Sequence, residues 1–229
     1  TTVDAAYILI NLTAAYAAST FNIGGGTLNT WGLIANKISG NTATINFGTN
    51  ATVNFTSSSY TSASSFEIAA AVTVSGSGTF NYASSSIDRQ GYFYSRGHNY
   101  SNFTIQNNLP AGSSFVFSDD ATIKSLNGVP GGGSYIIADE ATLNVGELNI
   151  RGDSTNLVTI TPYSPDDYYC YIHKTTPGPV NCNYLSLYSV SISGTAPVIG
   201  LFAGANSVNG NGYNPGWVFT TMPSMLMVF

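Results

Sequence analysis

Asp119-Asp120-Ala121-Thr122-Ile123 recurs, twenty residues on, as Asp139-Glu140-Ala141-Thr142-Leu143. Ala51-Thr52-Val53 carries the same small-Thr-aliphatic core, and Ala71-Val72-Thr73-Val74 is a looser copy at the same interval. A step of that size matches one coil of a parallel β-solenoid, in which each coil leaves a face for the next to bury. A β-sandwich or jelly roll is the alternative, since it too strings short strands at about 8–12-residue spacing. The fold expected is therefore all-β, a parallel β-solenoid or β-helix.

The surrounding composition fits stacked strands. In Asn41-Thr42-Ala43-Thr44-Ile45-Asn46-Phe47 and Asn50-Ala51-Thr52-Val53-Asn54-Phe55, short neutral polar residues alternate with small, β-branched or aromatic ones. Like charges stacked face to face would repel, whereas Thr and Asn can hydrogen-bond along the stack. Only 7% of the 229 residues are charged, against about 25% in an ordinary soluble domain. The 43% hydrophobic content, with 12 Phe and 15 Tyr, supplies a sizeable core and argues against disorder.

Further strands are expected at Leu33–Ile38, Thr42–Phe47, Thr52–Thr56, Ser65–Ala69, Val72–Ser75, Phe115–Phe117, Thr122–Lys124, Tyr135–Ala138, Thr142–Val145 and Leu157–Thr161, with Gly, Asn, Asp and Ser clusters between them. Residues 1–20 read differently. Ala5, Ile8, Leu9, Leu12 and Tyr16 share a helical face that Asp4 could cap, with a strand at Tyr7–Leu12 as competitor. Gly24-Gly25-Gly26 then suggests a hinge. The segments expected are a docking segment at 1–26, a solenoid body at 27–165 and a C-terminal β cap with an apolar tail at 166–229.

Eleven acids against six bases give a net charge of −5, and no basic stripe exists. Nucleic acid is thus not expected as a partner, and neither is a polybasic membrane anchor. The longest apolar run, Ala5–Leu12, falls short of a membrane span of ~18 residues and lacks the basic flank of a signal peptide. Thr1-Thr2 fits a chain whose initiator Met is removed, or a cleaved precursor. Cys170 and Cys182 enclose a Pro/Gly-bearing loop; both a disulfide and two reduced thiols fit that spacing.

The C-terminal quarter carries the most specific pattern. It runs Asn181-Cys182-Asn183-Tyr184-Leu185-Ser186-Leu187, then Ala203-Gly204-Ala205-Asn206-Ser207-Val208-Asn209-Gly210, then Asn214-Pro215-Gly216-Trp217-Val218-Phe219. It resembles the closing segment of a loose group of bacteriophage virion proteins and environmental bacterial surface proteins, with a Cys-x-Tyr-Leu-Ser strand, an Ala-Gly-x-Asn-Ser turn and an Asn-x-Gly-Trp-x-Phe finish. Pro215 and Leu201-Phe202 depart from that pattern. The resemblance implies a β-helix-like protein of a virion surface or, alternatively, of a bacterial cell surface. It implies no ligand and no catalytic residues. Proteins of this group often end in a short apolar tail, and here the chain ends Met222-Pro223-Ser224-Met225-Leu226-Met227-Val228-Phe229.

A solenoid has two open ends that would recruit other chains. Ile8, Leu12, Trp217, Met225, Met227 and Phe229 are the expected subunit contacts, and the resemblance to fibrous virion proteins implies a homotrimer as the expected assembly. Residues 89–103 form the most unusual local stretch. Arg89, Tyr92, Tyr94, Arg96, His98 and Tyr100 cluster there and could bind a host-surface glycan or another virion protein, since Tyr and Arg are enriched in both settings.

The pairs Asp119-Asp120, Asp139-Glu140 and Asp166-Asp167 are the only enzyme-like feature. Glycoside hydrolysis needs two convergent carboxylates, and stacked coils could align Asp120 with Glu140. Turn residues are the simpler reading of such pairs. Calcium has oxygen-ligand candidates here but no EF-hand or nonapeptide repeat. His98 and His173 lack metal-ligand spacing, and no Gly-x-Ser-x-Gly elbow is present. No cofactor or metal is expected. Arg151-Gly152-Asp153 matches an integrin-binding tripeptide by three residues only. Together with this lack of catalytic motifs, the C-terminal resemblance implies a non-enzymatic structural protein on the outside of a tailed phage, either a capsid decoration or a short fibre for host attachment. The short chain favours the decoration role; a secreted adhesin or a polysaccharide-degrading tail spike is the alternative.

Overall fold

Alternation decides which side chains turn inward. Along Ala43–Ser57, the residues Ala43, Ile45, Phe47, Ala51, Val53 and Phe55 are buried, and Thr44, Asn46, Thr52 and Asn54 between them stay half-exposed. The strand bends at Gly48–Asn50, where Asn50 takes a left-handed φ of 62°. Ahead of the bend it pairs with Ser19–Gly24 and with residues 72–76; beyond it, with Thr27–Thr30 and residues 78–84. One strand therefore supplies two walls of a coil, and Ser64–Ile68 supplies the third.

The structure is a computed structural model and describes residues 2–5, 8–13, 19–39, 43–57, 64–84, 90–128, 131–177, 180–194 and 201–219. Among these residues no helix occurs. The first two walls stack as one ten-stranded sheet and the third as a nine-stranded sheet; Leu201–Phe202 pairs separately with Trp217–Val218. Every ladder between strands is parallel. The chain is a parallel β-solenoid, as the repeats suggest.

Its interior is an apolar column in which each coil covers the one before. Leu28, Val53, Phe80, Ile105, Leu126 and Leu148 stack along one wall. The middle of the column is aromatic. Phe66 and Phe93 stack at 5.1 Å, Phe80 and Phe103 stack at 5.0 Å, and Tyr100 packs edge-on against Phe66, Phe93 and Phe103. Such pairs add roughly 0.5–1.5 kcal/mol each to the burial of their area. Backbone approach between coils is close. Gly76 has a φ of 95°, and a Cβ there would lie 1.6 Å from the Phe47 carbonyl oxygen, so only glycine fits.

The outer faces form side-chain ladders. Asn54 Nδ2 donates to Asn29 Oδ1 at 2.6 Å, and Asn81 Nδ2 donates to Asn54 Oδ1 at 2.8 Å. Further along the same wall Asn149 Nδ2 donates to Asn127 Oδ1 at 2.8 Å. Asn46 joins Asn22 and Ser75 in the same manner. These bonds need identical or similar residues in register, and a charged residue could not repeat so.

Two expectations change. Residues 2–5 and 8–13 are strands, Thr2–Ala5 and Ile8–Thr13, rather than a helix. Their apolar spacing suits either structure, and parallel pairing with Thr27–Thr30 and Gly32–Ser39 decides it. Gly24–Gly26 turns the corner between two walls and is not a hinge between bodies. Strands on both sides of residues 26 and 165 belong to the same sheets.

The repeat itself stacks two residues out of the sequence alignment: Ala121 lies opposite Leu143, not Ala141. Nor is the coil step fixed. It is 22 residues from Asp120 to Thr142, 29 from Asn46 to Ser75 and 20 from His173 to Ser193. A shift of two preserves the pleat, so the same side chains still turn inward.

Candidate functional site

Residues 90–103 form two strands, Gln90–Tyr94 and the start of Asn99–Asn108, joined by a tight turn. Phe93 faces inward between Phe66 and Phe117 of the adjacent coils. Period two then sends Tyr92 and Tyr94 outward. Their rings lie 6.0 Å apart and 16° from parallel. Tyr94 stands opposite Glu67.

The turn after Tyr94 places Arg96. Its φ is 51°, and the His98 amide donates to the Ser95 carbonyl at 2.9 Å. Asp119, one coil on, accepts the Ser95 and Arg96 amides at 2.7 and 2.8 Å. Successive amides converging on one carboxylate make a small anion nest, and Asp119 fills it. The Arg96 guanidinium crosses the Tyr94 ring at 4.9 Å and reaches Glu67 Oε1 at 2.7 Å. The hydrogen bond to Glu67 raises the Arg96 pKa above its ordinary value. Tyr163 reaches the same patch from a later coil. It is 49% exposed, and burial, then the nearby Tyr92 and Tyr94, hold its phenol above the usual range.

Of the residues singled out from the sequence, Tyr92, Tyr94 and Arg96 thus share one surface. His98 is half-buried, its Nε2 3.1 Å from the Ala69 carbonyl oxygen. Tyr100 does not belong to the surface: it is wholly buried in the aromatic column, and desolvation drives its pKa far upward. Period two puts Tyr100 on the same side as the inward Phe103 once the strand's irregularity is counted. Arg89 lies outside the described residues.

Among the proposed subunit contacts, Trp217 is only 7% exposed and closes the chain's own core opposite Leu201. Ile8 is half-buried. Met225, Met227, Phe229 and the side chain of Leu12 lie outside the described residues. Glu67 and Tyr163 were missed. An acid between Phe66 and Ile68, and a Tyr in a loop, carry no signal until the coils are stacked.

Most of the acid pairs serve the turns where the third wall passes back to the first. Asp120 Oδ1 accepts the Thr142 amide at 2.7 Å, and Asp139 Oδ1 accepts the Ser164 amide at 2.9 Å. Asp120 therefore stacks on Thr142 and not on Glu140. Asn takes over this work later: Asn211 Oδ1 accepts the Ser189 amide at 3.2 Å and Asn214 Oδ1 the Val190 amide at 2.8 Å.

The Arg-Gly-Asp tripeptide is also used internally. Asp153 Oδ1 accepts from the Thr155 amide, the Thr155 hydroxyl and the Asn156 amide at 2.8, 2.6 and 2.8 Å, and the Thr155 bonds lead in lowering its pKa. Arg151 bonds to Asn181. Cys170 and Cys182 are unbridged and buried, and desolvation pushes both thiols up to about 12.

The fold and surface define a parallel β-solenoid whose one ion pair, among the described residues, braces an aromatic patch. Compared with family models, with curated proteins and with solved structures, the chain matches none.

Proposed function

We propose that this chain is a non-enzymatic structural protein on the outer surface of a tailed bacteriophage virion. It docks on a neighbouring virion protein through the Tyr92–Tyr94–Arg96–Glu67 patch and assembles as a homotrimer. The observation that carries this reading is the preorganised patch. Arg96 is held between a carboxylate and a ring, and Tyr92 is aligned beside it. Rigid Tyr and Arg side chains lose little entropy on contact and dominate protein interfaces. The C-terminal resemblance supplies the setting.

Exposed Leu9 and Phe21 near the solenoid's N-terminal end support self-association there. The tail-spike alternative asks for Asp120 and Glu140 to converge, whereas Asp120 holds the Thr142 amide.

Gold-labelled antibody against the chain, applied to intact particles, tests the setting. Labelling of the head selects decoration and labelling of the tail tip selects a fibre; particles that carry none of the chain overturn the proposal. Light scattering coupled to gel filtration tests the trimer, and a monomer at every concentration overturns that part. The patch is tested on purified particles: Arg96→Glu with Tyr94→Ala is expected to reduce incorporation at least tenfold, and unchanged incorporation overturns docking through this surface.

A further inference from the structure

A groove of about 270 Å³ lies between the loop 165–169 and the loop 211–213. Its floor is a chain of hydrogen bonds. Asn211 Nδ2 donates to Ser189 Oγ at 2.7 Å, and the Ser189 hydroxyl donates to the Pro165 carbonyl. The two loops are thereby fixed to each other. Tyr168 and Tyr213 line the groove and are 45% and 65% exposed. Asp166 and Asp167 line it too, and both are exposed.

These two acids stand apart from Asp119, Asp120, Asp139 and Asp153, whose carboxylates accept backbone amides. The turn that carries Asp166 and Asp167 is closed by backbone and hydroxyl groups instead. The Asp167 and Tyr168 amides both donate to the Ser164 carbonyl, at 3.1 and 2.9 Å. Among the described residues, no hydrogen bond or ion pair engages the Asp166 or Asp167 carboxylate.

We propose that this groove binds a non-acidic pyranose, a neutral or ammonium-bearing sugar residue presented by a surface glycan. Each feature selects for that class. An aromatic ring has a negative face, which attracts the slightly positive C–H face of a pyranose. An ionised carboxylate only accepts hydrogen bonds, so the ligand must donate, as sugar hydroxyls and ammonium groups do. Bonds of that kind are charge-assisted and short. No cation lines the groove, so a uronic or sialic acid would meet like charge. The volume lies just below the ~300–1,000 Å³ of sites for larger ligands, which suits a single ring held at its edge and face.

The assignment does not rest on the particle setting. A solenoid mounted elsewhere would bind the same sugar, and a labelled virion would stand if the groove proved empty.

The test is saturation-transfer NMR, followed by titration calorimetry, on the purified full chain. The probes are methyl glycosides of neutral hexoses, protonated hexosamines and hexuronic acids. Neutral or amino glycosides are expected to bind, with uronic acids at least tenfold weaker. Tyr213→Ala and Asp167→Asn are each expected to weaken binding about tenfold, equivalent to roughly 1.4 kcal/mol, while Tyr213→Phe retains it. Circular dichroism and melting curves establish that each variant is folded. Absence of binding by every neutral and amino glycoside, equal binding of uronic acids, or binding indifferent to both substitutions would overturn the proposal.

Discussion

The turns around Asp119 and around Asp166 occupy the same corner of the solenoid, two coils apart, and use acids in opposite ways. At the first, Ser95 and Arg96 present two amides with no backbone acceptor of their own coil, and Asp119 takes both. At the second, the Ser164 carbonyl takes two amides, and the neighbouring carboxylates are exposed and take no hydrogen bond among the described residues. Two acidic pairs that look alike in sequence therefore differ in role. Where the backbone cannot satisfy itself, the acid belongs to the fold; where it can, the acid is available to a ligand.

Asp119→Ala should show the largest effect on stability. It strips the acceptor from two amides, one of them in the fully buried Ser95. A loss of about 2–3 kcal/mol is expected, a fall in Tm of roughly 5–10 °C for a chain of this size. Calorimetry checks it, and an unchanged Tm would mean the nest is satisfied by water.

Asp139→Ala removes a single bond, to Ser164. About 1 kcal/mol is expected in the same measurement, and the groove loops that follow Ser164 should loosen in amide exchange.

Arg96→Ala sharpens the comparison from the surface side. An exposed ion pair is worth ~0.2–1 kcal/mol and a cation–π contact of this kind ~0.5–1 kcal/mol. Stability should fall by about 2 kcal/mol at most in denaturant titration. A larger loss would make the patch a structural clamp and not a docking surface.

Asp166→Asn and Asp167→Asn should change stability by less than about 0.5 kcal/mol even as they alter sugar binding. A loss comparable to that of Asp139→Ala would erase the distinction between the two corners.

The smallest effect is local and depends on pH. The folded pKa of Asp153 lies below its ordinary 3.8, chiefly through its bonds from Thr155. The stabilisation is therefore fully present above the unfolded value and is lost as pH falls through the lower folded value. The Thr155 and Asn156 amide resonances should stay constant down to about pH 4 and move below it, and Asp153→Asn should abolish the transition.

Much of the architecture is legible in the chain. Alternation in Ala43–Ser57 and Thr142–Ile150 names the inward residues, and the near-repeat names the solenoid. The N-terminal strands were legible only as an ambiguity, because Ile8, Leu9 and Leu12 suit a helix as well as the strand that parallel pairing selects. Tyr100 looked like a surface residue beside Arg96 and His98. A turn of four residues and an irregular register rotate it into the core.

By itself the sequence determined the side-chain alternation, the scarcity of charge that lets Asn stack on Asn, and the largely apolar core those choices enclose. These are local properties, since a two-residue period needs no knowledge of the neighbouring coil. Tertiary structure alone decided which acid meets which amide, that Glu67 is the acid paired with Arg96, and that Asp166 and Asp167 meet no amide among the described residues. Those contacts join residues one coil apart, and coil length varies with each turn, so an offset of two residues gives every carboxylate a different partner while leaving the inward pattern untouched.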